Sequence, residues 1–248
     1  MIKKLLFKRR SLVKRKCGNI VGFLSLADGL PLLCHGCLKK FLLTICLLVL
    51  IPSLCFATLI GTLTDNFDDN SIDGAKWGTD TGGGGSVAEV NQEIELTSAI
   101  AGSDAVLESV SSYDLTGSGL SAKLVDAGNQ SLASFNVTPC RVHDSSWAWD
   151  YYWIVQGGNI ATSNTYSTSY VAATFSYLRI RESGGTIYYD SSTDGITWTN
   201  RDSHAKAADI TTSTARISIG STLELSTTTA KVDDFNILPS ARRIIFIQ

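Results

Sequence analysis

Residues 177–192 read YLRIRESGGTIYYDSS, and this stretch decides the fold class. Leu178 and Ile180 alternate with Tyr177, Arg179 and Arg181, the two-residue period of a strand with one buried face. Gly184-Gly185 supplies the positive φ that a tight hairpin turn requires. The chain continues STDGITW, where Asp194-Gly195 is a second turn signal. Asp194 is expected to cap its own turn through its side chain, with Trp198 packing into the core.

The same pattern extends in both directions from the hairpin. No long 3.6-residue periodicity occurs after Leu63, and short alternating runs are separated by Gly, Ser, Asn and Asp. Strands are expected at Thr64–Asp68, Glu93–Thr97, Ala105–Val110, Leu120–Val125, Leu132–Val137, Trp147–Val155, Tyr170–Phe175, Tyr177–Arg181, Thr186–Asp190, Ile196–Thr199, Ala215–Ile219 and Ala230–Ile237. This is an all-β chain, read as a two-sheet antiparallel, jelly-roll-like sandwich. TGGGG at 81–85 is a loop without the Lys-Ser/Thr or helix of a phosphate-binding turn.

The run WAWDYYWIV, 147–155, is the densest aromatic cluster. Alternation places Trp147, Trp149, Tyr151, Trp153 and Val155 on one face and Asp150, Tyr152 and Ile154 on the other. Trp153 and Val155 are expected in the core. Trp147 and Trp149 are expected at an exposed binding edge, with Asp150 and Tyr152 as the next candidates. Arg179 and Arg181 complete the ligand-binding set, and Tyr188 and Tyr189 are further aromatic candidates.

The N-terminal region differs from the rest. Residues 1–40 carry ten Lys and Arg and one acid, Asp28, and Phe41–Ile60 is free of charge. This is the pattern of an export signal, with cleavage expected after Ala57, or of an uncleaved membrane anchor. A start near Leu38 would leave a signal of ordinary length. The domains are therefore 1–57 (basic leader and signal peptide or anchor), 58–238 (sandwich) and 239–248 (a short tail, PSARRIIFIQ). A secreted or cell-surface location follows, with membrane contact only through an uncleaved N-terminal segment.

Residues 58–248 keep 11 Lys and Arg against 22 Asp and Glu, a formal charge of −11. Such a surface excludes nucleic acid as a partner, because that binding rests on neutralising phosphates. Five of the six cysteines lie in the leader, and Cys140 is expected as a small buried hydrophobe. CHGC, 34–37, lacks the second pair of a zinc site and the histidine of a haem attachment motif.

LTDNFDDNSIDGAKW, with Phe67 and Trp77, resembles the opening of the concanavalin A-like lectin/glucanase (laminin-G-like) sandwiches. VAEVNQEIELTS resembles the strand pair that follows, the 177–199 region a late hairpin, and AKVDDFNIL the closing strand, which in such folds lies near the first. The resemblance covers about residues 63–238. It implies a sandwich engaged in carbohydrate or adhesion-type binding, with fold alone not deciding function.

Each candidate site follows from this frame. Hydrolytic members carry an acidic trio on one strand. The nearest equivalent is Glu89, Glu93 and Glu95, without a central Asp, and a solvated strand face is the expected outcome, so no catalytic residue is assigned. A structural calcium is the one cofactor considered, with Asp65 and Asp68 meeting Asp233 and Asp234 where the first and last strands adjoin. His143-Asp144 and His204 have no Gly-x-Ser-x-Gly elbow beside them. The function expected is an exported non-catalytic module binding a glycan or cell-surface polysaccharide. The alternatives are a structural or adhesion module of a cell-surface or virion-associated assembly, and a degenerate glycoside hydrolase.

Overall fold

A computed structural model describes residues 58–99, 102–146, 149–206, 212–223 and 227–237. The leader with its CHGC motif, the apolar run up to Ala57, Trp147 and the C-terminal tail lie outside the described residues. The strands are β1 (Trp77–Gly82), β2 (Ser86–Val90), β3 (Glu93–Ser98), β4 (Ser103–Ser109), β5 (Gly119–Asp126), β6 (Asn136–His143) and β7 (Asp150–Gln156). They continue with β8 (Asn159–Thr162), β9 (Ser167–Ser169), β10 (Tyr177–Ser183), β11 (Thr186–Ser192), β12 (Thr199–Ala205), β13 (Arg216–Leu223) and β14 (Thr228–Asp233). Two single 3-10 turns, Ile60–Thr62 and Thr212–Thr214, are the helical pieces among the described residues.

The strands form two seven-stranded antiparallel sheets. Sheet one runs β1-β4-β13-β6-β7-β8-β9, and sheet two runs β12-β11-β10-β5-β14-β3-β2. Late strands insert between early ones: β13 lies between β4 and β6, and β14 between β3 and β5. The chain therefore crosses between sheets repeatedly, and neither sheet is complete until the last strand is in place.

Alternation explains the packing. On β10, Leu178 and Ile180 are buried while Tyr177, Arg179 and Arg181 face outward. The turn after it holds Gly184 and Gly185 at φ 59° and 79°. The Glu182 carboxylate closes that turn, accepting from Gly185 N at 2.7 Å. From sheet one come Leu107, Val142, Trp153, Val155 and Ile219; sheet two supplies Leu96, Leu120, Ile180, Ile187 and Val232. Trp153 is fully buried, edge-on to Tyr189 at 6.0 Å and to Tyr166 at 6.0 Å. Cys140 is buried as expected. Its thiol donates to the Leu178 carbonyl, and burial pushes its pKa far up.

Several expected strands were misplaced. Thr64–Asp68 contributes one bridge, Asp65 to Phe235, because Phe67 and Asn70 turn into positive φ. Tyr170–Phe175 is a turn closed by Thr174 N and Phe175 N on the Val171 carbonyl. Ile196–Thr199 belongs mostly to the Asp194 turn, where Asp194 Oδ1 accepts from Ile196 N (2.9 Å) and Thr197 N (2.7 Å). These donors and the Ser192 hydroxyl lower the Asp194 carboxyl to about 2. Trp198 does not enter the core: it lies half-exposed with the Arg179 guanidinium 4.2 Å from its ring centre.

The resemblance at the start has a physical basis. The Asp65 and Phe235 backbones exchange hydrogen bonds of 2.9 and 2.7 Å. Trp77 stands edge-on to Phe235 at 5.2 Å, and its Nε1 donates to Asp65 Oδ2 at 2.9 Å. First and closing segments thus do adjoin.

Candidate functional site

A groove of about 290 Å³ crosses the outer face of sheet one. Adjacent strands lie about 4.8 Å apart, so the path from β1 across β4 and β13 to β6 is about 14 Å. Ser218 and Gly220 form its floor on β13. A side chain at Gly220 would place Cβ 3.2 Å from Val106 Cγ2, so glycine lets the floor sit low. Asp80, Asp104, Asn136 and Arg141 form the walls.

Strand registers bring these residues together. Ser218 pairs with Glu108 on β4 and with Arg141 on β6; Arg141 in turn pairs with Tyr152 on β7. The Arg141 Nε donates to both Asp150 oxygens at 2.9 and 3.0 Å, and its Nη2 reaches Asp150 as well. Its guanidinium carbon stands 5.6 Å from the Tyr152 ring centre. The arginine thus holds one aromatic ring on the strand beside the groove, and the ring is half-exposed.

The expected ligand-binding residues do not form one cluster. Asp150 and Tyr152 share the outer face of sheet one, as expected from alternation. The Trp149 ring lies tilted by 41° against Tyr151 at 5.4 Å, half-buried against the core rather than beside Tyr152. Arg179 and Arg181 lie on the outer face of sheet two, so the whole thickness of the sandwich separates them from Tyr152. Both guanidiniums bind the buried Asp190 carboxylate, at 2.7 Å (Arg179 Nη2) and 2.8 Å (Arg181 Nε). Arg181 also lies 4.0 Å from the Tyr188 ring centre. Tyr189 is a core residue whose hydroxyl meets Ser163 Oγ at 2.7 Å. Burial alone would raise the Asp190 carboxyl; hydrogen bonds from Arg181, Asn200 and Arg179 outweigh it and hold it below the ordinary value. The set failed as a unit because alternation assigns a face within a strand and says nothing about which sheet the strand joins.

The four carboxylates expected around calcium are also split. Asp65 is engaged by Trp77 Nε1 and, at 3.5 Å, by Lys76 Nζ. Asp68 is exposed on the loop beside it. Asp233 and Asp234 turn instead toward Lys123, at 2.9 and 3.8 Å. Among the described residues, no group of three or more His, Cys, Asp or Glu side chains is placed to hold a metal.

The acidic trio is divided as well. Glu93 and Glu95 share the outer face of sheet two, both bound to Lys231 at 3.3 and 3.0 Å. Glu89 pairs in register with Ile94 and points inward, 7 % exposed, with Oε1 lacking a hydrogen-bond partner. Desolvation raises its pKa; the Ser71 N–H opposes this, and the Asp69 carboxyl and the Asp65 charge add to it. His143 hydrogen-bonds the Asp144 backbone carbonyl, not its carboxylate, and burial lowers its pKa.

Sequence reasoning missed the groove itself. Asp80, Asp104, Thr138, Arg141 and Ser218 come from four strands. The one local signal was Gly220 inside the alternating run RISIGSTL, where a strand glycine marks close approach to its surface.

No family model matches the chain, and no curated protein matches it. Solved structures do. A sialidase aligns with TM-score 0.53 and 9% identity over 69% of this chain, which spans 18% of that protein. A Bacillus licheniformis beta-glucanase aligns with TM-score 0.52 and 10% identity, over 69% of this chain and 95% of the other. A laminarinase from Flavobacterium sp. UMI-01 aligns with TM-score 0.51 and 10% identity, over 69% and 96%. At such identities the likeness concerns the backbone alone. Together with the two seven-stranded sheets and the joined first and last segments, it shows that this chain has the concanavalin A-like lectin/glucanase fold.

Proposed function

We propose that the protein is an exported, non-catalytic carbohydrate-binding module, and that the outer face of sheet one holds the glycan. The observation that carries this is the groove on sheet one, whose wall residue Arg141 lies against the half-exposed ring of Tyr152. Aromatic rings take the apolar faces of sugars, while a few placed polar groups fix orientation. Here Asn136, Arg141 and Thr222 stand along the same path as Tyr152. The Arg141–Asp150 pair holds the ring's orientation before any ligand arrives, which lowers the ordering cost of binding. The beta-glucanase and laminarinase structures, whose names describe action on glucans, support a carbohydrate partner for this backbone. A non-catalytic role is supported by Glu93 and Glu95, each bound to Lys231 on the far sheet.

The test is retention of the purified full-length protein on insoluble polysaccharides and on a glycan array, for wild type and Tyr152→Ala. Binding that falls about ten-fold or more in the variant, with an unchanged melting temperature, supports the reading; an isolated stacking contact is worth about 1–3 kcal/mol. Retention unaffected by Tyr152→Ala removes this face as the site. Release of reducing sugar from a retained glucan would overturn the non-catalytic part.

A further inference from the structure

A second cavity, of about 460 Å³, lies on the outer face of sheet two. Arg179 and Arg181 of β10 form one side of it, and Gly61 and Asn236 the other. Between them lies the start of β5: Ser121 pairs with Arg179 and Gly119 with Arg181, while Ser121 N donates to Asn236 Oδ1. A side chain at Gly119 would place Cβ 2.7 Å from Arg181 Cβ and 2.8 Å from the Ile180 carbonyl oxygen. Glycine there keeps the floor beneath the two arginines bare.

Both guanidiniums are held in place but only partly used. Arg179 donates Nε and Nη2 to Asp190 and lies 4.2 Å from the Trp198 ring centre. Arg181 donates only Nε to Asp190 and lies 4.0 Å from the Tyr188 ring centre. Two cations thus share one buried carboxylate, and both Nη groups of Arg181 and Nη1 of Arg179 have no acceptor among the described residues. Glu182 also lines the cavity, but it is buried, and its two oxygens accept from Gly117 N (2.5 Å) and Gly185 N (2.7 Å). The rest of the lining points to a polyhydroxylated ligand. Ser118, Ser121 and Ser183 bring hydroxyls, and Ser118 Oγ, accepting from Gly61 N at 3.2 Å, keeps its own proton to donate. Leu120 is the one apolar side chain of the lining and is itself buried, so nothing there would seat an apolar peptide anchor.

We infer that this cavity is a second sugar site, specific for an acidic sugar: a uronate whose carboxylate meets the free N–H groups of Arg179 and Arg181 while its hydroxyls meet Ser118 and Ser121. It lies on the opposite face from the sheet-one groove and stands or falls independently of it. The planar guanidinium fork matches a carboxylate, and such charge-assisted bonds are stronger than those between neutral groups. The arginines are already fixed by Asp190, Trp198 and Tyr188, so little ordering remains to be done on binding. A neutral sugar gains only the hydroxyl contacts.

Calorimetric titration of the full-length protein at pH 7 with three disaccharides of one skeleton is the test. They are glucuronosyl-β-1,4-glucose, its neutral methyl ester, and cellobiose carrying a 6′-sulfate. The uronate is expected to bind about ten-fold or more tightly than the ester, the scale of one hydrogen bond to a charged group. Arg181→Lys keeps the charge and loses the fork, and should remove that preference. Ser183→Asp, at an exposed lining position away from Asp190, should remove it by repulsion even where Arg181→Lys melts too early to be measured. Tyr152→Ala should leave it unchanged, which separates this site from the groove on sheet one. Equal affinity for uronate and ester, or binding of neither, overturns the inference. So does a preference that survives Ser183→Asp and a folded Arg181→Lys, or one that is lost in Tyr152→Ala. Tighter binding of the sulfate than of the uronate overturns the carboxylate assignment.

Discussion

The indole Nε1 of Trp153 donates to the Arg179 carbonyl oxygen at 3.1 Å, reaching from β7 in one sheet to β10 in the other. The bond fixes the lateral position of the sheets at the centre of the core, where apolar contacts alone would tolerate sliding. Trp153→Phe keeps most of the ring and removes the donor. A loss of about 1–3 kcal/mol is expected from the unpaired acceptor and the lost volume, against about 3–5 kcal/mol for Trp153→Ala. Urea denaturation measures both, and equal losses would show that the hydrogen bond contributes little.

Asp190 anchors the outer face of the other sheet. Its folded-state carboxyl is held below the ordinary value, so its contribution to stability is fully present above the unfolded carboxylate pKa, about 3.9. It is lost as pH falls through the lower folded value. Asp190→Asn leaves Arg179 and Arg181 without their shared anion, and a loss of roughly 3 kcal/mol at pH 7 is expected, the low end for breaking a buried pair. Melting curves from pH 7 to pH 2 should show the wild-type advantage shrinking only in the acid limb. An advantage constant across that range would refute the linkage.

Glu89 has the opposite sign. Glu89 is raised above its ordinary 4.5 in the folded state, so folding is favoured while the group stays protonated and loses stability as pH rises past 4.5. Glu89→Gln is therefore expected to raise the melting temperature at pH 7, with the gap to wild type closing toward pH 4. A variant less stable than wild type at pH 7 would contradict this. The same melts with calcium and with chelator test the structural calcium expected from the sequence. A calcium-dependent rise in both proteins would support the ion expected at Asp65, Asp68, Asp233 and Asp234, and no rise in either would count against it.

Gly220 offers a steric test of the groove. Gly220→Val raises the floor on β13 and asks the Val106 side chain to yield a few tenths of an ångström. A modest cost, about 1–3 kcal/mol for overpacking, is expected, alongside loss of polysaccharide retention. Retention at the wild-type level would place the glycan elsewhere.

The fold was legible where one strand face is buried and the other wet. Leu178 and Ile180 against Arg179 and Arg181, or Trp153 and Val155 against Tyr152, could be assigned by alternation alone. β1, β9 and β12 were illegible because edge strands bury little. TNRDSHA on β12 has no apolar side to mark it, and STS on β9 is exposed throughout. The groove was illegible for a different reason: insertion of β13 beside β4 and β6 brings Thr222 near Asp104 and Asn136, and no local pattern announces that neighbourhood. Two of the six expected ligand residues, Asp150 and Tyr152, sit on the groove face because they share a strand. Arg179 and Arg181 belong to the other sheet, a fact of topology.

Asn236 joins the two ends of the domain. Its side-chain amide donates to the Ile60 carbonyl (3.1 Å) and the Leu63 carbonyl (2.7 Å), and its Oδ1 accepts from Ser121 N (2.7 Å). Beside it, Asp65 and Phe235 run antiparallel, so the chain enters and leaves at the same end. Tension between the two ends would then load this seam one hydrogen bond at a time, as a zipper opens, and not in shear along whole strands. The clasp at Asn236 is consequently the first mechanical barrier of the module, whatever it is tethered to.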